Sequence, residues 1–221
     1  MADPDLFLML LADARLPVAG YTQSAQLEPA VAAGLTGRDV AAYLRTRLRT
    51  VTRVEAATAV VARHHLERGL PLSGVESAWA ARTPSRAMRE TSRAQAHAFL
   101  RLAHRLWPDA PSLAQLAESA RPPRPLALAA AAVACGLPAL SLARLVGYDD
   151  VQTVCAAALK LLPLDPYDAT AWAHDALGDV EALAVEVAPL TTPGGIPAAG
   201  APQIEAWAEA HAVTTRRLFS A

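Results

Sequence analysis

The chain has one lysine (Lys160), no asparagine and two isoleucines in 221 residues. Aromatic residues make up 5% of it, and only two cysteines are present. Each scarcity excludes something. Cys135 and Cys155 are too few and too far apart for a disulfide framework or a paired-thiolate metal site. They read as small buried hydrophobes. The charged residues nearly cancel to a net charge of -1, which leaves no basic excess to hold the whole chain on nucleic acid. β-Branched residues are few and no two-residue alternation persists, so strands are not expected. The N-terminal apolar run is flanked by Asp3 and Asp5 and lacks a basic leader, so it does not read as a signal peptide. An uncharged stretch over 125–143 approaches the length of a membrane span. It is alanine-rich and interrupted by Gly136 and Pro138, so it reads as two helices. A soluble, cytoplasmic protein without a membrane contact is expected.

Alanine dominates what is present: 52 residues, within a hydrophobic fraction of 53%. That composition excludes a disordered chain, and the length suffices for one sizeable core. Alanine and leucine are strong helix formers. Helical periodicity and Gly/Pro breaks place helices at about 4–13, 21–34, 37–69 with a break near 53, 73–82, 84–107, 111–119, 126–135, 138–162, 166–187 and 203–218. Two starts carry a chemical signature, Thr83 before Pro84 and Asp165 before Pro166: a capping side chain, then a proline whose missing N–H costs nothing in the first turn. The expectation is an all-α, single-domain bundle of eight to ten helices over 1–188. Residues 189–202 are rich in Pro, Gly and Thr and read as a flexible linker. Residues 203–221 then form a tethered amphipathic segment, to be packed on its own core or on a partner. Its removal is expected to leave the core folded.

Within 84–107, Met88, Thr91, Gln95, Ala98, Phe99, Leu102 and Leu106 follow the spacing of a buried stripe. Arg86, Arg89, Arg93, His97, Arg101, His104 and Arg105 form a basic stripe on the other side. It is either a solvated face or a docking surface for an acidic partner.

Catalytic constellations are missing. The chain has no GxxxxGK[ST] or GxGxxG loop and no GxSxG elbow. His64 and His65 are adjacent and point to different sides of a helix, and His97 and His104 lie two turns apart. Asp149 and Asp150 read as a helix-surface or cap pair. No residue is assigned to catalysis, a cofactor or a metal ion. Three classes stay open on these grounds: an adaptor, a regulatory or nucleic-acid-binding protein using the arginine face of 86–105, and a small helical enzyme, which the empty inventory disfavours.

The opening stretch LFLMLLADARLPVAGYTQSAQLE resembles the N-terminal signature of the UreF family of urease accessory proteins, through Asp13, Leu16, Pro17, Gly20, Tyr21, Ser24, Leu27 and Glu28. RETSRAQAHAFLRLA at 89–103, VCAAALKLLPL at 154–164 and the ending His211, Arg217, Leu218, Phe219 resemble three further segments of that family in the same order. Ala19, Gln26, Ala96, Asp165 and Ala212 depart from it; at Ala19, Gln26 and Ala96 the family pattern has glycine. The resemblance implies an all-α, non-enzymatic adaptor that bridges UreD (also called UreH) and the GTPase UreG on apo-urease. It further implies nickel delivery to the urease active site, modulation of the GTPase and homodimerisation. Carried over residue by residue, the candidate partner contacts are Gly20, Tyr21, Ser24, Glu28, Glu90, Lys160, His211, Arg217, Leu218 and Phe219. Ile204 and Trp207 join them as apolar anchors of the C-terminal segment.

Overall fold

The computed structural model describes residues 2–18, 22–215 and 217–219. The candidates Gly20 and Tyr21, and the departure Ala19, lie outside the described residues. Those described contain eleven α-helices and no strand. The helices are α1 (Pro4–Leu11), α2 (Leu27–Ala32), α3 (Val40–Arg49), α4 (Val51–Glu67), α5 (Ser73–Arg82), α6 (Arg86–Leu106), α7 (Pro111–Leu116), α8 (Arg124–Ala134), α9 (Ala139–Leu161), α10 (Pro166–Val187) and α11 (Pro202–Ala212).

The core is built around α4, α8 and α9. Helix α4 packs on both α8 and α9, α10 covers α9, and α6 and α7 lie on α8. Alanine makes this possible. Ala127 and Ala129–Ala132 on α8 and Ala56, Ala57, Ala59 and Ala62 on α4 are fully buried, so helices approach closely along small side chains. Gly147 on α9 extends the same logic toward α10, since a Cβ there would meet Val180 Cγ1 at 3.0 Å. Gly147→Leu is therefore expected to destabilise the fold by about 1–3 kcal/mol through overpacking. Thermal denaturation checks this, and an unchanged midpoint would contradict the close α9–α10 packing. The two-helix reading of 125–143 holds: α8 ends before Gly136, which takes φ +72°, and α9 begins after Pro138. Among the described residues no helix is long and apolar enough to cross a membrane.

Several expectations need correction. The helix expected over 21–34 is confined to α2, because Ala25 and Gln26 adopt left-handed φ of 48° and 61° immediately before it. Glycine is the residue that tolerates this geometry best. Thr83 does not cap the sixth helix. Ser85 does, its hydroxyl accepting from the Met88 N–H at 3.2 Å, while Thr83 ends α5. The buried face of α6 is rotated from the expected stripe. Ser92, Ala96, Phe99 and Ala103 are buried and Leu106 is 41% exposed. Close contact with alanine-rich α8 selects small side chains over long ones. Cys135 and Cys155 are free and buried, as expected.

The C-terminal third also differs from its composition. Residues 189–202 bury more than Pro, Gly and Thr suggest: Ile196 is 2% exposed and its carbonyl accepts from Arg82 Nε at 2.7 Å. Helix α11 lies on α6 and α2. Its Glu209 accepts from the Ser85 hydroxyl at 2.6 Å and the Ala87 N–H at 2.9 Å, satisfying the open end of α6. Ile204 and Ala208 are buried, so α11 shares the core and its removal would expose apolar surface. The physical reason is that an amphipathic helix this short needs a tertiary partner, and its own bundle supplies one.

Candidate functional site

Helix α2 is short and begins with an acid. Glu28 stands in its first turn, where its charge is favoured by the helix dipole. Its carboxylate receives the end of the chain. Oε2 is 3.0 Å from His211 Nε2 and accepts from the Phe219 N–H at 3.0 Å, while Oε1 accepts from the Leu218 N–H at 2.6 Å. A single carboxylate thus holds two backbone donors and an imidazole. Phe219 is 4% exposed, and the Lys160 ammonium from the end of α9 sits 5.1 Å from its ring centroid. Arg217 Nη1 donates to the His211 carbonyl at 3.4 Å. On α11, Trp207 lies 6.2 Å from the Tyr43 ring of α3, centroid to centroid.

Six candidates from distant parts of the sequence therefore converge: Glu28, Lys160, His211, Arg217, Leu218 and Phe219. Ile204 and Trp207 anchor the same segment. The side chains are divided in exposure: Phe219 and Ile204 are inserted, whereas Leu218 is 64% exposed. Ser24 is buried before the start of α2 rather than displayed beside Glu28. Glu90 belongs to a different set of contacts, with Arg121 at 2.7 Å and Arg93 at 3.5 Å.

Beneath the clasp lies a buried polar cluster that the sequence concealed. Arg47 of α3 is 4% exposed. Its guanidinium pairs with Asp150 of α9 at 2.6 Å and donates through Nη1 to the Ala25 carbonyl at 2.9 Å and Gln26 Oε1 at 2.8 Å. The Tyr43 hydroxyl donates to the same Ala25 carbonyl at 2.6 Å, and Thr52 Oγ1 donates to Asp150 at 2.7 Å. These bonds pin the left-handed turn that leads into Glu28. Asp149 pairs with Arg124 at 2.6 Å. The expectation of a surface pair at 149–150 is overturned for Asp150, which meets an arginine 103 positions away, whereas the Asp149 side chain is 42% exposed. Burial, the stronger effect, pushes the Tyr43 hydroxyl up to about 12. Burial also works against the Asp150 carboxylate, but the charge and hydrogen bonds of Arg47, with Thr52 and Arg124, hold it below the usual carboxyl range.

A cavity of about 90 Å³ adjoins this cluster, lined among others by Thr52, Glu55, Gln95, Arg124 and Asp149. Glu55 accepts from the buried Trp79 indole at 2.7 Å. Its carboxyl is raised, because burial outweighs the Trp79 hydrogen bond and the charge of Arg124. A raised folded value means that stability is lost as pH climbs through it. Glu55→Gln keeps an acceptor for Trp79 and removes the buried charge. The variant is expected to be more stable than the parent at pH 7, with the difference vanishing on acidification to about the ordinary glutamate value of 4.5. Urea midpoints at the two pH values decide it. Among the described residues no three His, Cys, Asp or Glu side chains gather as a metal ion would require.

One further surface is apolar. Helix α1 leans on α9 and leaves Leu6 and Met9 more than half exposed, with Leu177 and Val185 of α10 also uncovered. Leu8, Met9, Leu145, Tyr148 and Leu177 line a groove there of about 530 Å³.

These features define a helical-bundle protein closed by its own C-terminal segment. Its sequence places it further. The UreF family model matches residues 23–177. The chain is 33% identical over 223 residues to the urease accessory protein UreF of Mycobacterium sp. (strain JLS), spanning 96% of this chain and 97% of that protein. It is 35% identical over 228 residues to the urease accessory protein UreF of Mycolicibacterium vanbaalenii, spanning 96% and 97%. A third relative, the urease accessory protein UreF of Mycobacterium marinum, is 35% identical over 164 residues, 73% of this chain and 74% of that protein. The chain belongs to the UreF family of urease accessory proteins.

Proposed function

We propose that this protein is a non-enzymatic adaptor of urease maturation, acting in the cytoplasm. It bridges UreD (UreH) and the GTPase UreG on apo-urease, so that nickel, the cargo, reaches the urease active site. The observation that carries the reading is the clasp: Glu28 of the N-terminal family signature holds the His211–Phe219 segment of the C-terminal signature. Two family segments separated by most of the chain meet there, with Leu218 and Lys160 exposed beside the buried His211 and Phe219. A contact surface for a partner explains that juxtaposition, and UreD is the partner assigned to it. The apolar α1–α10 face gives an adaptor a second place to bind, as large uncovered apolar patches do. The near-neutral charge of the chain gives no support to the nucleic-acid reading.

The test is co-purification of the full chain with UreD and UreG, alone and together, followed by activation of apo-urease with nickel. Retention of both partners and a gain of urease activity over the mixture lacking this protein are expected. Retention of neither partner, with UreD soluble, would overturn the proposal.

A further inference from the structure

The arginine stripe of α6 is not used by the clasp. Helix α6 carries five arginines and one glutamate, in a chain whose net charge is -1. Helix α10 carries five acids and neither arginine nor lysine. The bundle keeps the two apart: α6 packs on α8 and α11, whereas α10 packs on α9, α3 and α4. Among the described residues no α6 arginine pairs with an α10 acid, and Arg86, Arg101 and Arg105 of α6 are exposed as local positive charge.

The α6 stripe borders a groove. Helices α6 and α7 both rest on α8, and the space between them measures about 530 Å³. Its floor is apolar: Leu113 and Leu116 are each 1% exposed, and Leu100 is half-buried beside them. Its rim carries Arg93, His97, His104 and Arg121, and no acidic side chain lines it. Glu90 and Glu76 engage Arg93, and Glu90 also engages Arg121. His97, Arg101, His104 and Arg105 have no ion-pair partner among the described residues, and all four are exposed. His97 and Arg101 stand one turn apart on the same face of the helix.

We infer that this groove is a docking site for an acidic, apolar-faced peptide segment of a partner protein. The apolar floor takes the hydrophobic side chains of such a segment, and the side chains without an ion-pair partner among the described residues, His97 and His104 on the rim with exposed Arg101 and Arg105 next to them on α6, take its carboxylates. The lining distinguishes this occupant from a nucleic acid. A strand of bases needs aromatic platforms, and no Phe, Tyr or Trp lines the groove. No residue of the clasp at Glu28 lines this groove.

Fluorescence anisotropy of the full chain tests the inference. The probes are a labelled amphipathic peptide of Glu and Leu, its Gln/Leu counterpart, and a single-stranded RNA oligomer. The Glu/Leu peptide is expected to bind more tightly than either of the others, and to weaken with added salt. The variant H97E/R101E changes two exposed side chains and is expected to weaken that binding by about tenfold or more. Ala117→Trp, at an exposed position on the groove wall, is expected to weaken it by obstruction while circular dichroism stays unchanged. Absence of peptide binding, equal binding of the Gln/Leu peptide, tighter binding of RNA, or indifference to both variants would overturn it.

Discussion

Arg47→Ala is expected to lower the stability of this protein by about 3–5 kcal/mol, the range for removing one partner of a buried ion pair. The substitution leaves Asp150 charged and 15% exposed at its side chain, without its guanidinium. It also removes a donor from the Ala25 carbonyl and from Gln26 Oε1, the groups that hold the left-handed turn. Against a total of about 5–15 kcal/mol for a domain, such a loss is severe. Urea denaturation measures it, and a loss under about 1 kcal/mol would show that water replaces the guanidinium freely. The pH dependence provides a second check. Asp150 is held below its ordinary value in the folded state, so its contribution is complete above the ordinary aspartate value of 3.8 and is lost as pH falls through the folded one. The parent protein is expected to lose this part of its stability below about pH 4. Arg47→Ala has less to lose there, and its profile is expected to be flatter.

Glu28→Ala is expected to release the chain end without unfolding the bundle. The carboxylate accepts from the Leu218 and Phe219 N–H groups and contacts His211. Hydrogen bonds to a charged acceptor contribute about 1.5–3 kcal/mol. The amides of Leu218 and Phe219 are therefore expected to exchange about 10- to 100-fold faster with deuterium, with helical circular dichroism retained. Glu28→Gln keeps one acceptor oxygen and is expected to fall between. Under the proposed function, retention of UreD falls in the same order. Unchanged exchange would deny that Glu28 holds the segment. Faster exchange with full UreD retention would leave the clasp intact as structure and remove it as the UreD contact. The point variant separates these outcomes better than deleting α11, which would also uncover Ile204 and its neighbours.

Much of the architecture was legible because helix signals are local. Asp165 before Pro166 predicts the start of α10, and the Asp165 side chain does accept from the Tyr167 N–H at 2.9 Å. Gly136 and Pro138 separate α8 from α9 as their chemistry requires. Thr83 before Pro84 places the start of α6 too early; Ser85 is the cap, and its hydroxyl also meets Glu209 of α11, a contact that local sequence does not show. The rotation of α6 has a similar cause: periodicity ranks Met88, Leu102 and Leu106 as core, but an alanine-rich neighbour rewards close approach by Ser92, Ala96 and Ala103. The arginine-to-aspartate pairing at Arg47 and Asp150 left no trace in the pattern, because an acid pair on a helix looks the same whether water or a guanidinium faces it.

The sequence by itself determined an all-α bundle, free buried cysteines, the family, and the identity of the residues at the two signature ends. Those properties follow from composition, capping chemistry and residue order, which act over a few positions at a time. Only the tertiary structure decided that Glu28 grips Leu218 and Phe219, that Arg47 and Asp150 lie beneath that grip, and that α6 borders an apolar-floored groove. These depend on how helices far apart in sequence come to lie together, and packing is settled by the shape of every neighbour at once.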